Sequence, residues 1–272
     1  MTAPVNRIDR LFADSSRKRF IPFITVGDPN LDATFQIAHA LVEAGADMLE
    51  LGVPYSDPLA DGPTIQRASQ RALANGVTID DALELVANLR ASGMQVPIVL
   101  FSYYNPVLQY GVERFFAVLA EKGADGIVIP DLPVEENGPA VAAAQAHGLH
   151  VISLVAPTSE SRIRTIGAQA SGFLYCVSSL GVTGARDSLR EDLAQFLQRV
   201  KASTSVPTAV GFGISTPEQV RAVAQYTDGV IVGSAIVQEM ERHLELLSDP
   251  KQLIQGVKKI KTFVQRLAGA LQ

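Results

Sequence analysis

Tryptophan is absent from this 272-residue chain, and cysteine occurs once, at position 176. A lone cysteine excludes an internal disulfide and fits a reducing compartment. Positive charge is in deficit: 23 Lys and Arg against 28 Asp and Glu leave a formal net charge of −5. No basic face therefore advertises nucleic acid or an anionic membrane as a partner. Long apolar runs are also missing. No stretch reaches the roughly 18 apolar residues needed to span a bilayer. The opening MTAPVNRIDRLFADSSRKRF has no apolar core of signal-peptide length. The expectation is a soluble, cytoplasmic protein. Its 47% hydrophobic content is enough for a substantial core.

What is present has a rhythm. Short β-branched runs, FIPFITV (20–26), DMLELGV (47–53), PIVLFS (97–102), DGIVIP (125–130), HVISLV (150–155), GFLYCV (172–177), PTAVGF (207–212) and DGVIVG (228–233), alternate with helical stretches. In TIDDALELVANLR, Ile79, Ala82, Leu83, Val86 and Leu89 form one stripe, and Thr78 with Asp81 resembles a capping box. Thr216, Pro217 and Gln219 open another helix in the same manner. Gly45, Gly93, Gly123 and Gly148 each end a helical segment just before a strand. The triplet GAD recurs at 45–47 and 123–125, ahead of an apolar run each time. Eight βα units in a chain of this length predict a (β/α)8 TIM barrel, for which about 250 residues is typical. An open doubly wound sheet is the main rival. No linker divides the chain, so residues 1–272 are expected to form one domain. A short helix over 5–13 should precede the barrel. In the C-terminal segment Leu253, Val257, Ile260, Val264 and Leu267 share one face of an extra helix, whose other face is basic. A barrel-covering helix is favoured over a membrane-surface one.

In such barrels the chemistry sits at the C-terminal ends of the strands, and phosphate often binds after strands 7 and 8. GFGIST follows the seventh run and VGSAIV contains the end of the eighth. Gly211, Gly213, Gly233 and Ser234, with Gly184 of GVTG (181–184), form a candidate phosphate seat built from backbone N–H groups. The alternative is that these glycines only make tight turns. In the second run, period-two alternation turns Met48, Glu50 and Gly52 one way and Leu49, Leu51 and Val53 the other. The larger aliphatics suit the helical layer, so Glu50 should point into the barrel. A carboxylate there is costly unless paired, protonated or used, and neighbouring runs offer no cation. Asp61 follows 11 residues later, in a loop that also holds Asp57; both could equally be turn formers.

The lysines (18, 122, 201, 251, 258, 259 and 261) all lie away from the active ends of strands, which disfavours a Schiff-base aldolase. The histidines (39, 147, 150 and 243) lie in helices or at the opposite strand ends, so no metal ligand set is expected. A metal- or lysine-based phosphosugar isomerase is disfavoured on the same grounds. What remains is carboxylates, aromatic side chains and a phosphate seat. That kit suits proton-driven carbon–carbon cleavage of a phosphorylated substrate carrying its own electron sink.

Together, ELGVPYSDPLADGPTIQ, SYYNPVLQYG, PDLPVEE, SSLGVTGAR and GFGIST resemble the tryptophan synthase alpha-subunit family, in the right order and over essentially the whole chain. The resemblance implies cleavage of indole-3-glycerol phosphate to indole and glyceraldehyde 3-phosphate, with no cofactor in this chain. It also implies a PLP-dependent beta subunit as partner, in an α2β2 complex. It maps the catalytic pair onto Glu50 and Asp61. Tyr175 and Thr183 are implied beside the substrate, and Phe23, Leu100, Phe212 and Ile231 as walls of the indole pocket. Residues 178–190 are implied to be a lid. Asp57, Asn105, Pro106 and Asp131 match loops used at the beta-subunit interface. Two further readings are a standalone lyase releasing free indole and a non-catalytic phosphate-binding regulatory subunit.

Overall fold

The computed structural model describes residues 5–177, 186–211 and 213–271, the side chains of 186–191 excepted. Among the described residues there are eight strands: β1 Arg19–Thr25, β2 Leu49–Gly52, β3 Ile98–Phe101, β4 Gly126–Val128, β5 His150–Val155, β6 Leu174–Val177, β7 Thr208–Gly211 and β8 Gly229–Val232. Each pairs in parallel with the next, and β8 returns to β1 to close a (β/α)8 barrel. All eight predicted runs are strands, and the doubly wound alternative is excluded because an open sheet cannot pair β1 with β8.

Two apolar layers follow from the strand alternation. Leu49, Leu51, Ile98, Leu100 and Val210 face outward into the layer between strands and helices. Met48, Val99, Phe101, Phe173, Tyr175 and Ile231 fill the barrel interior. Both predicted capping boxes form, at Thr78 with Asp81 and at Thr216 with Gln219. Gly45 and Gly123 take φ of 104° and 89°, the left-handed turn that ends a helix without a Cβ penalty.

The repeated GAD triplet has a structural meaning at the floor of the barrel. Asp47 donates its backbone N–H to the Phe20 carbonyl and accepts the Phe20 N–H on its carboxylate at 2.8 Å. Asp125 does the same with Ile98 at 2.8 Å, and Asp228 repeats it with Thr208 at 3.0 Å. Each carboxylate satisfies a strand-opening N–H that the ladder cannot reach. The floor is plugged by the helix Arg7–Ala13, whose Ile8 is fully buried in the interior cluster. Asn6 ties this helix to the carbonyls of Asp125 and Gly148.

The C-terminal helix Leu253–Ala268 packs on the helix Leu31–Glu43, burying Leu253, Ile260, Val264 and Leu267, with Val257 partly buried. Its basic face meets solvent, and Lys261 reaches Glu43 at 2.7 Å. Among the described residues no helix is long and apolar enough to cross a membrane.

Candidate active site at the barrel mouth

Strand register places Glu50 first. It pairs with Phe23 of β1 on one side and Val99 of β3 on the other, both inward-facing, so its side chain also enters the barrel. Two positions further on, Gly52 clears the space above it: a Cβ there would come within 2.5 Å of the Phe23 ring. Glu50 is 2% exposed, and one of its carboxyl oxygens, Oε2, has no hydrogen-bond partner. Burial pushes its pKa up to about 8, and the neighbouring Asp61 charge acts in the same direction.

Asp61 reaches the same space from the loop between β2 and the helix Pro63–Ala74. Its pKa is pushed up to about 6 by burial, with a hydrogen bond from Tyr103 working against the rise. The two acids line one cavity, which opens at the C-terminal ends of the strands. Phe23, Phe101, Ile65 and Ile231 form its apolar walls, and Tyr175 lies inward on β6. Gly213, Ile214, Gly233 and Ser234 close the far side. Ser234 begins the helix Ser234–Arg242, so the N-terminal N–H groups of that helix open at the cavity edge.

Leu100 departs from the expected placement. Leu100 does not face the cavity: it lies in the outer layer against the helices, and Phe101 occupies the wall instead. The physical reason is register. With Val99 inward beside Glu50, period two sends Leu100 outward and Phe101 inward. The bareness of Gly211 makes room for the Tyr175 ring: a Cβ there would come within 2.5 Å of the Tyr175 hydroxyl. Thr183, Gly184, Phe212 and, of the expected lid at 178–190, residues 178–185 lie outside the described residues, while 186–190 form the start of the helix Arg186–Ala202. Ile65, Phe101, Ile214 and Tyr103 were not anticipated. The alternation used for Glu50 would have found Phe101, whereas the others depend on how loops fold over the mouth.

The residues expected at a partner interface gather on the rim. Asp57, Asn105 and Asp131 are exposed, and Pro106 is partly so. Asn105 donates to the Tyr55 hydroxyl at 3.3 Å, and Asp131 accepts the Tyr104 backbone N–H at 2.8 Å, which joins three loops. Two large apolar side chains stand among them, Leu59 at 93% and Leu108 at 52% exposure. Among the described residues no group of three or more His, Cys, Asp or Glu side chains is placed to hold a metal ion.

Known proteins share both the sequence and the fold. The family model "Tryptophan synthase alpha chain" matches residues 11–272. The tryptophan synthase alpha chain of Geobacillus thermodenitrificans is 55% identical over 257 residues, covering 94% of this chain and 96% of that protein. Its Bacillus subtilis counterpart is 48% identical over 260 residues, covering 96% and 97%. The crystal structure of tryptophan synthase subunit alpha from Legionella pneumophila superposes with a TM-score of 0.88 at 39% identity, covering 98% of this chain and 99% of that one. A chain of Mycobacterium tuberculosis tryptophan synthase gives a TM-score of 0.85 at 36% identity, covering 98% and 99%. An acid-lined barrel mouth and a family match over nearly the whole length agree: the chain belongs to the tryptophan synthase alpha chain family.

Proposed function

We propose that this chain is a lyase of tryptophan biosynthesis that cleaves indole-3-glycerol phosphate to indole and glyceraldehyde 3-phosphate, with Glu50 and Asp61 as its catalytic pair. The observation that supports this reading is the pair itself: two acids of unequal pKa lining one apolar cavity beside a helix N-terminus. The ring fits among Phe23, Phe101, Ile65 and Ile231, and the phosphate fits the N–H groups around Gly213, Gly233 and Ser234.

Glu50 in its neutral form donates a proton to ring carbon C3, leaving a cationic, iminium-like ring. Asp61 in its ionised form accepts a hydrogen bond from the ring N–H and stabilises that positive charge. The Glu50 carboxylate then takes the proton of the glycerol hydroxyl next to the scissile bond. The bond from C3 breaks as the aldehyde forms, and its electron pair returns to the ring as neutral indole. Glu50 ends protonated, as it began.

The required protonation states coexist in a pH window. Below about 6 Asp61 gains a proton and loses its charge, and above about 8 Glu50 loses the proton it must donate. The expected kcat/KM profile is a bell between those limbs, measured from about pH 5 to about pH 9; a flat profile would contradict the assignment. At the phosphate seat, Ser234→Asp sets a carboxylate against the substrate dianion. KM is expected to rise at least about tenfold with kcat changed far less. Unchanged KM would remove Ser234 from the seat.

We further infer a PLP-dependent beta subunit as the partner, in an α2β2 assembly, with Asp57, Asn105, Pro106 and Asp131 at the contact. The exposed Leu59 and Leu108 beside them support this, because large apolar side chains on a rim mark an interaction surface. We assign the chain to the cytoplasm, in keeping with its single buried thiol, whose pKa burial pushes up to about 12. The deciding experiment incubates the purified chain with indole-3-glycerol phosphate and assays indole, with and without a beta subunit. Weak activity strongly raised by the partner is expected. A fast solitary enzyme would favour the standalone lyase, and no indole in either case would end the proposal.

A further inference from the structure

Tyr103 is buried to 3% exposure just beyond the end of β3. Its ring is held on two sides. It stacks on Tyr55, with centroids 5.0 Å apart and planes 26° apart, and meets Phe101 edge-on at 6.5 Å. Its hydroxyl reaches across to the Asp61 loop, where it accepts the backbone N–H of Ala60 at 2.9 Å and lies near enough to the Asp61 carboxylate to favour its charged form. A phenol has one hydrogen to give. With Ala60 donating to the oxygen, that hydrogen is free to point at the nearby Asp61 carboxylate. Burial, and then the Asp61 charge, hold the phenol well away from ionising, so it stays a donor across the working pH range.

Resting on the reading that Asp61 binds the ring N–H, we propose that Tyr103 is a positioning residue that fixes the aim of the Asp61 carboxylate. The loop from 53 to 62 has no strand or helix of its own to orient that side chain. Tyr103 holds it by the Ala60 main chain, one residue before the carboxylate that its hydroxyl faces. Tyr55 braces the ring from outside, so the aim does not depend on the loop backbone alone. The titratable groups that face Asp61 are Glu50, Tyr103 and Tyr175. Of these, the Tyr103 hydroxyl favours the charged form of Asp61 by donating to it.

The test is Tyr103→Phe, which keeps the ring and its stacking and deletes only the hydroxyl. Expected results are a fall in kcat of about tenfold with KM within about twofold, because a hydrogen bond to a charged group is lost without altering the ring pocket. The acid limb of the kcat/KM profile should move to higher pH, since Asp61 loses its donor. In an Asp61→Asn background the same deletion should change kcat by less than about twofold. A Tyr103→Phe enzyme with unchanged kcat and an unmoved acid limb would overturn the inference, as would an equal loss in both backgrounds. If Asp61→Asn alone turns over at the full rate, the functional reading fails and this inference with it. If that variant is impaired while Tyr103→Phe matches the unaltered enzyme, only the inference fails.

Discussion

Replacing Glu50 by glutamine is expected to lower kcat by about 10³-fold, with little change in KM, while making the protein more stable at alkaline pH. The two effects share one cause. Glu50 is buried at 2% exposure with one oxygen unpartnered, an environment that suits a neutral acid and penalises a carboxylate. Its pKa in the folded chain is about 8 against 4.5 for the ordinary side chain. The folded state therefore holds a proton that the unfolded state releases. The neutral form's contribution is fully present below about pH 4.5 and is lost as pH rises through about 8. By about pH 9 the loss amounts to a few kcal/mol, on the order of 1.4 kcal/mol for each pH unit that separates the folded from the unfolded value. Glutamine has no such slope, although its amide also lacks a partner at the orphan position. Urea unfolding at about pH 5.5 and about pH 8.5 measures the contrast: the stability of Glu50→Gln relative to the original chain should grow by a few kcal/mol between the two. A constant difference would mean that Glu50 is not the titrating group. Full activity in the variant would end its assignment as acid and base.

The second large effect lies behind the mouth. Asp28, in the loop after β1, is completely buried and accepts from Arg71 Nε at 2.7 Å and Nη2 at 2.9 Å. Arg71 also reaches Glu241 at 3.0 Å, and Arg67 grips the same carboxylate twice at 2.7 Å. This network joins the helix Pro63–Ala74, which follows the Asp61 loop, to the helix Ser234–Arg242, which opens at the phosphate seat. Arg71→Met leaves Asp28 buried without its cation, and such a loss costs about 3 kcal/mol. Burial already holds the Asp28 pKa above the ordinary value even with Arg71 present. Without Arg71 it rises further, so the deficit should shrink toward acid pH as Asp28 becomes neutral in the fold. Arg67→Met is the contrasting control. Arg67 is 47% exposed, and its loss should cost less than about 1 kcal/mol. Thermal unfolding of both variants checks this, with a drop on the order of 8 °C expected for Arg71→Met. Equal, small drops would show that the network contributes little.

The amino-acid sequence determined by itself whatever depends on neighbours along the chain. Strand positions followed from β-branched runs, helix starts from Thr78 with Asp81 and Thr216 with Gln219, and the inward turn of Glu50 from alternation within LELG. Each rests on steric and hydrogen-bonding rules spanning at most one turn or two strand residues. Alternation would also have turned Leu100 outward and Phe101 inward, had it been carried across from β2 to β3. Tertiary structure alone decided the rest. The meeting of Asp61 with Glu50 needs the loop after β2 to fold back over its own strand, while the hydroxyl of Tyr103 on the Asp61 loop, the Arg71 bridge from Asp28 to Glu241, and the Gly211 space taken by Tyr175 join residues from separate βα units. No local period encodes such pairings. They arise because closing eight parallel strands brings the ends of every unit onto one rim, where distant side chains compete for the same volume and the same hydrogen bonds.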